Sequence, residues 1–334
     1  METNGRAFAP VPFLPTKEHP MTYDCIIVGG GLAGMQAGIQ LGRYDAHKVL
    51  VVDSEDGRST LCRRYRNFLG YPNGVSGEEL RRAGRRQLNE YGIRVARDTI
   101  LAAEHAGSGD DAAGGFRLRG AQGAVYETRA MLLATGVMDR LPDWPGLRPC
   151  LGLTVFVCPD CDGFEIRGRE TLVLGRGDVG AEMALTLSQW TKRLLYLRQE
   201  DETHPLGPEL AERLAAAGIE HRAAPVRAIR AAGDGVFQTA VLQDGTEVAA
   251  DRAFVAFGGN EVRSGLAEQL GARMHPNRHV WTDPRTKQTT VPGLWAAGDI
   301  AFHSEQATVA MGEGAQAAIW IHKSLSEIME KERH

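Results

Sequence analysis

The sequence predicts an α/β fold built from two Rossmann-like dinucleotide-binding units, the second inserted into the first. Three observations carry that reading. The apolar run Tyr23-Asp24-Cys25-Ile26-Ile27-Val28 leads straight into Gly29-Gly30-Gly31-Leu32-Ala33-Gly34 and a helical pattern ending near Arg43. The same order of strand, glycines and helix recurs at Thr171-Leu172-Val173-Leu174 and Gly175-Arg176-Gly177-Asp178-Val179-Gly180. Late in the chain, the strand Trp295-Ala296-Ala297-Gly298-Asp299 precedes a long helix, which places the completion of the first unit after the second.

Residues 1–20 hold Pro10, Pro12, Pro15 and Pro20 without periodicity and read as a loose tail, with Met21 an alternative start. In the first fingerprint Gly29 makes the tight turn, Gly31 admits a pyrophosphate to the helix N-terminus, and Gly34 lets helix and strand pack closely. The second strand, Val49 to Val52, ends at Asp53, where a carboxylate is placed to accept a ribose hydroxyl. The arginine-rich stretch Gly57 to Gly70 reads as readily as a solvated connection as it does a binding loop. Ser76, with Glu79 three residues later, caps a helix expected to reach Tyr91.

Short strands follow around a low-complexity loop, Gly107 to Gly115, and Ala130 to Ala134 forms a strand closing on Thr135-Gly136. Leu141 to Gly146 has linker composition, so the first crossing between units is placed there. Further strands are expected at 194–197, 238–242 and 253–257, and the chain crosses back near Asn260 to Gly265. The final helix, about Gln306 to Ile328, sets Ala310, Gly314, Ala317, Ile321 and Leu325 on one face, with its N-terminus open toward a ligand. The division is 21–141 with 263–334 for the first unit and 142–262 for the second.

The chemistry concentrates at Cys158-Pro159-Asp160-Cys161-Asp162-Gly163. Two cysteines three positions apart with a proline between them suit the first turn of a helix, where backbone N–H groups favour a thiolate. Such a pair can open and close as a disulfide, and Asp162 can carry the proton that thiol chemistry moves. The competing readings are half of a zinc site or two buried cysteines. A four-cysteine zinc site needs a second pair, however, and Cys25, Cys62 and Cys150 are widely scattered, so no metal is expected. Cys62 and Cys150 read as structural, although Cys62 lies in the arginine-rich loop.

Net charge narrows the partners. A formal charge of -4 without a basic stripe points away from nucleic acid. No apolar run approaches the roughly 20 residues of a membrane span, and the first 20 residues lack the apolar core of a signal peptide. A cytoplasmic location is expected, where an odd set of five cysteines fits a reactive pair better than a secreted disulfide framework.

Together, Gly29 to Gly34, Ala134-Thr135-Gly136, Cys158 to Gly163 and Ala296-Ala297-Gly298-Asp299 with the glycine-bearing last helix resemble the low-molecular-weight thioredoxin reductases. The resemblance runs from about Tyr23 to Leu325. It implies a split FAD domain, an inserted pyridine-nucleotide domain bearing the redox cysteines, and a homodimer. It further implies that Cys161 faces the flavin, Cys158 exchanges with a disulfide of thioredoxin or a similar partner, and Asp162 assists proton transfer. Gly29, Gly31, Gly34, Asp53, Ala134, Thr135, Gly136 and Gly298 then fall in the FAD site. Asn67 stands where the family has a flavin-proximal asparagine, Asp299 where it binds the ribityl chain, and Gln306 at the entry to the last helix.

The departures matter as much. Members that use NADPH hold its 2′-phosphate with a His-Arg-Arg run and a further Arg, where this chain reads Arg198-Gln199-Glu200, then Asp201-Glu202-Thr203-His204. Carboxylates there repel the 2′-phosphate. Two readings follow: Glu200 binds the 2′-hydroxyl of NADH, or the second fold holds no pyridine nucleotide. Arg58 also replaces the usual Gln, and Ser304-Glu305-Gln306 the usual Arg-Gln pair. These changes resemble the NADPH-independent branch, which includes ferredoxin-linked thioredoxin reductases, diflavin-linked disulfide oxidoreductases and dithiol oxidases. A ferredoxin donor and a second flavin therefore stay open. The expected function is FAD-dependent electron transfer through Cys158 and Cys161 to a thioredoxin-like partner without NADPH. The alternatives are a dithiol oxidase using O2, an NADH-linked disulfide reductase, and a flavin redox sensor without turnover.

Overall fold

A computed structural model describes residues 21–107, 115–199 and 203–333. The proline-rich tail, most of the low-complexity loop and the acids Glu200, Asp201 and Glu202 lie outside the described residues.

Strand β1 (Met21–Val28) buries Cys25, Ile26 and Ile27 completely, as a strand covered on both faces must. It turns at the glycines into α1 (Leu32–Gly42), and β2 (Val49–Asp53) follows, buried along its whole length. Helix α2 (Gly77–Glu90) starts in the expected capping box: the Ser76 hydroxyl accepts the Glu79 N–H, and the Glu79 carboxylate accepts the Ser76 N–H. Then come β3 (Arg94–Arg97), β4 (Ile100–His105), β5 (Phe116–Gly120) and β6 (Val125–Leu133). The sheet order is β3-β2-β1-β6, all parallel, extended by antiparallel β5 and β4. Strand β6 starts earlier than its apolar run because its first half pairs with β5, a contact no local pattern reveals.

After β7 (Val137–Met138) the chain enters the inserted unit through β8 (Val155–Phe156), α3 (Pro159–Asp162), β9 (Thr171–Arg176), α4 (Gly177–Leu187), β10 (Leu194–Gln199), α5 (Pro208–Ala216) and β11 (Glu220–Ala223). An antiparallel ribbon of β12 (Val226–Ala232), β13 (Val236–Leu242) and β14 (Glu247–Ala249) precedes β15 (Arg252–Ala256). The second sheet, β11-β10-β9-β15-β8, is parallel throughout. Return is through β16 (Glu261–Val262), which pairs antiparallel with β7 and sets Val262 opposite Val137.

Helix α6 (Gly265–Gln269) follows, and then β17 (Leu294–Ala296) joins β6 in the first sheet. Helix α7 (Ala307–Arg333) buries Ala310, Gly314, Ala317, Ile321 and Leu325, the expected face. It runs on past Ile328 to Arg333. A Cβ on Gly314 would collide with the Ala33 carbonyl, so that glycine lets α7 lie directly on α1. Two apolar clusters flank each of the two large sheets. Among the described residues no helix is long and apolar enough to cross a membrane.

Candidate redox site

A cavity of about 670 Å³ runs from the first glycine turn, past Ala134-Thr135-Gly136 and Gly298-Asp299, to Cys158, Cys161 and Asp162 of the inserted unit. Local geometry explains its dinucleotide end. Gly29 has φ 108°, and a Cβ there would strike the Ala134 carbonyl. A Cβ on Gly34 would overlap the Gly29 carbonyl oxygen, so Gly34 shapes the turn from beneath it. Gly31 has nothing within 4 Å of that position and caps α1 without a side chain, leaving the first helical N–H groups open to an anion.

Asp53 is buried at this end. Its carboxylate accepts N–H bonds from Gly30 at 3.3 Å and Glu55 at 3.1 Å, and meets Arg81 at 2.6 Å and Arg85 at 3.2 Å. Arg81, itself buried, also donates to the Gly30 carbonyl at 2.9 Å and so braces the turn. Sequence reasoning found Asp53 but missed Arg81. The available signal was its spacing on α2, where Gly77, Arg81, Gly84 and Leu88 share the buried face.

The arginine-rich loop lines the cavity, and Arg58 points into it. Its guanidinium meets Asp139 at 2.6 Å, Glu305 at 2.7 Å and Asp299 at 3.1 Å. Burial opposes the charge on Arg58, but the three carboxylates more than offset this and hold it firmly protonated. Burial pushes the Asp299 carboxyl above its ordinary value, with Arg58 pulling the other way. Asp299 Oδ1 is buried without a hydrogen-bond partner. An orphan acceptor facing a long cavity fits the hydroxyls of a ribityl chain, and with the open end of α1 it makes the cavity a match for FAD. Asn67 also lines the cavity. Gln306 does not, whereas its neighbours Glu305 and Ala307 do; the Gln306 carbonyl instead accepts the first-turn N–H of Ala310.

At the other end Cys158 and Cys161 form a disulfide with Cα atoms 5.3 Å apart. Cys158 is the N-cap of α3, and its Sγ accepts the Cys161 N–H at 3.2 Å. Burial pushes the Asp162 carboxyl up to about 7, with Arg66 opposing and Glu165 adding to the rise. Arg66 is engaged with Glu165 at 3.2 Å, which limits its help. Asp162 is therefore poised to hold and release a proton near neutrality. The remaining thiols suit structure better than redox work: burial pushes Cys62 up to about 11 and raises Cys25 and Cys150 as well. Cys62 nonetheless lines the cavity.

The second fingerprint is furnished differently. Gly177, at the start of α4, has φ 45°, and a Cβ there would meet the carbonyl oxygens of His204 and Pro205. The Asp178 carboxylate accepts the Gly207 N–H at 2.7 Å. Residues 204–207 thus lie against the turn where a pyrophosphate would sit.

The pattern for a pyridine nucleotide-disulphide oxidoreductase matches residues 23–314, a span that holds both glycine turns, the disulfide and the Gly298-Asp299 turn. The chain belongs to that family. Within it, the chain is 29% identical to the thioredoxin reductase of Treponema pallidum over 308 residues, which cover 89% of this chain and 95% of that protein. The crystal structure of the thioredoxin reductase of Streptococcus pyogenes MGAS5005 superposes with a TM-score of 0.78 at 25% identity, covering 92% and 99% of the two chains. That of HlmI gives 0.80 at 28% identity, covering 95% and 97%. This family member is a thioredoxin-reductase-like, FAD-dependent disulfide oxidoreductase.

Proposed function

We propose that the protein passes electrons between FAD and the Cys158–Cys161 pair to a thioredoxin-type disulfide without using NADPH. Residues 21–141 with 263–334 form the FAD domain in this reading, and 142–262 the inserted domain. The observation that carries it is the second glycine turn, where the carbonyls of His204 and Pro205 abut Gly177 and Asp178 is bonded to Gly207. A carboxylate in the first turn of α4 further opposes a phosphate at that helix end. Arg198 and Gln199 stand where the family's phosphate clamp begins.

FAD supplies two-electron exchange with the disulfide, and the protein's residues do the rest. Gly29, Gly31, Ala134, Thr135, Gly136, Asn67 and Asp299 hold and orient the cofactor, with Asp53 and Gly34 shaping the turn. With the pair reduced, the Cys158 thiolate attacks the partner disulfide, forming a mixed disulfide and releasing one partner thiolate. Cys161 then attacks Cys158, which closes the internal disulfide and expels the second partner thiolate. Asp162 takes the Cys161 proton and returns one to a leaving thiolate. Two electrons leave the pair as one partner thiol and one partner thiolate form, and the thiolate takes its proton from water.

The test is anaerobic stopped-flow bleaching of the oxidised flavin band with NADPH, NADH and dithiothreitol in parallel. Bleaching by the dithiol alone is expected. Rapid bleaching by NADPH at low micromolar concentration overturns the proposal, and bleaching by NADH alone gives Glu200 a ribose to bind. Peroxide formed during aerobic dithiol turnover would instead mark a dithiol oxidase.

A further inference from the structure

Behind the Gly298-Asp299 turn lies a buried charged cluster that the redox chemistry does not use. Glu313, inside α7 on its buried face, accepts the Gly298 N–H at 3.0 Å on Oε2 and the Lys287 ammonium at 2.7 Å on Oε1. His303 closes the arrangement. Its Nε2 lies 2.9 Å from Glu313 Oε2 and 2.8 Å from the Gly298 carbonyl, and its Nδ1 lies 2.6 Å from the Ser304 carbonyl. Both ring nitrogens thus face oxygen acceptors. Backbone carbonyls cannot donate, so a neutral imidazole would set a nitrogen lone pair against an oxygen lone pair, whereas the imidazolium satisfies every contact.

We propose that His303 is a positioning residue for FAD: as an imidazolium clamped by Glu313 and the Gly298 and Ser304 carbonyls, it fixes the Gly298-Asp299 turn and the approach to α7. The turn needs such a fixture. Gly298 has φ 80°, and a Cβ there would lie 2.8 Å from the Ala33 Cβ, so the backbone passes close over α1 just before Asp299. Losing one proton from His303 turns one ring nitrogen, at either the Gly298 end or the Ser304 end of the segment 298–304, from donor to acceptor facing a carbonyl, and leaves Glu313 balanced by Lys287 alone.

Geometry and titration agree. Burial works against the charge on His303, but the hydrogen bond to Glu313 and those to the Ser304 and Gly298 carbonyls carry it up to about 9. Hydrogen bonds from His303 and Lys287 likewise outweigh burial and hold Glu313 below its usual value. The other charges around the ring are Asp299 on the same turn, countered by Arg58, and Lys287 behind Glu313. A histidine whose folded value is raised contributes fully below its unfolded value near 6.5, and the contribution is lost as pH rises through about 9.

The inference rests on FAD lying in the cavity. Its test is the FAD dissociation constant of the full chain, followed by flavin fluorescence from pH 6 to 10.5. In the unaltered protein affinity should be flat to about pH 8 and then weaken, approaching tenfold per unit above about 9. Glu313→Gln should move that limb to lower pH. Lys287→Met should move it to higher pH, because it removes the cation that competes with His303 for Glu313. His303→Gln should bind FAD roughly tenfold more weakly at pH 7 and lose the limb.

A merely structural cluster predicts weaker binding in all three variants without opposite shifts, and that result overturns the proposal. If His303→Gln does not fold, the two flanking variants still decide by the direction of their shifts. Asp299→Asn is the control for the cavity. Weaker FAD binding at every pH is expected from it, and unchanged binding would overturn the placement of FAD and the inference with it.

Discussion

Asp162→Asn should make the protein more stable and less active, with the stability gain confined to one pH range. In the folded chain the carboxyl sits at about 7 against an ordinary 3.8, raised chiefly by burial. Three units at about 1.4 kcal/mol each give about 4 kcal/mol, and the partial exposure of the side chain screens this to about 2 kcal/mol. Below about pH 4 the group is protonated both folded and unfolded, so Asp and Asn should be equal. Between pH 4 and 7 the unfolded chain ionises while the folded one holds its proton, and stability falls. Above 7 the cost is constant.

Thermal denaturation of the holoprotein at half-unit steps from pH 4 to 9 reads this directly. The Asn variant should match the parent at pH 4 and melt roughly 3 °C higher at pH 8. Dithiol-disulfide exchange in the same variant should slow by about a hundredfold, the usual contribution of a placed acid-base group. A melting difference that does not change with pH, or an Asn variant less stable than the parent at pH 8, would refute the claim that Asp162 is held against its charge for proton transfer.

Other outcomes follow from the cavity walls. Arg58→Met strands Asp139, Asp299 and Glu305 around one apolar side chain; it should cost about 2 kcal/mol in denaturant unfolding and weaken FAD retention measured by ultrafiltration. Gly34→Ala drives a methyl into the Gly29 carbonyl, so the purified protein should lack the flavin absorption band, whereas Gly312→Ala, in the helix α7 with no neighbour within 4 Å, should leave it intact.

Much of the architecture was legible because it is local. Two strand-glycine-helix fingerprints, the Ser76 capping box and the helical spacing of Ala310, Gly314, Ala317, Ile321 and Leu325 each depend on residues close in sequence. The cysteine pair and Asp162 stand in one short run for the same reason. Alternation could not find β6 at its true length, since half of it is fixed by pairing with β5. Gln306 was placed at the cofactor by its position in a family pattern, and such a pattern does not say which way a side chain faces: Glu305 and Ala307 line the cavity and Gln306 does not.

Two dinucleotide folds, the redox pair and its adjacent acid were written in the chain itself. Those follow from residue type at short spacing, which local sterics and hydrogen bonding convert directly into conformation. Packing settled what surrounds each group. Arg58 meets Asp139, Asp299 and Glu305 from two distant segments, Arg81 reaches Asp53 and Gly30 from α2, and Glu313 joins His303, Lys287 and Gly298 from inside α7. Charge pairing and desolvation depend on distance in space. Chain order holds no record of that distance until the sheets and helices have packed.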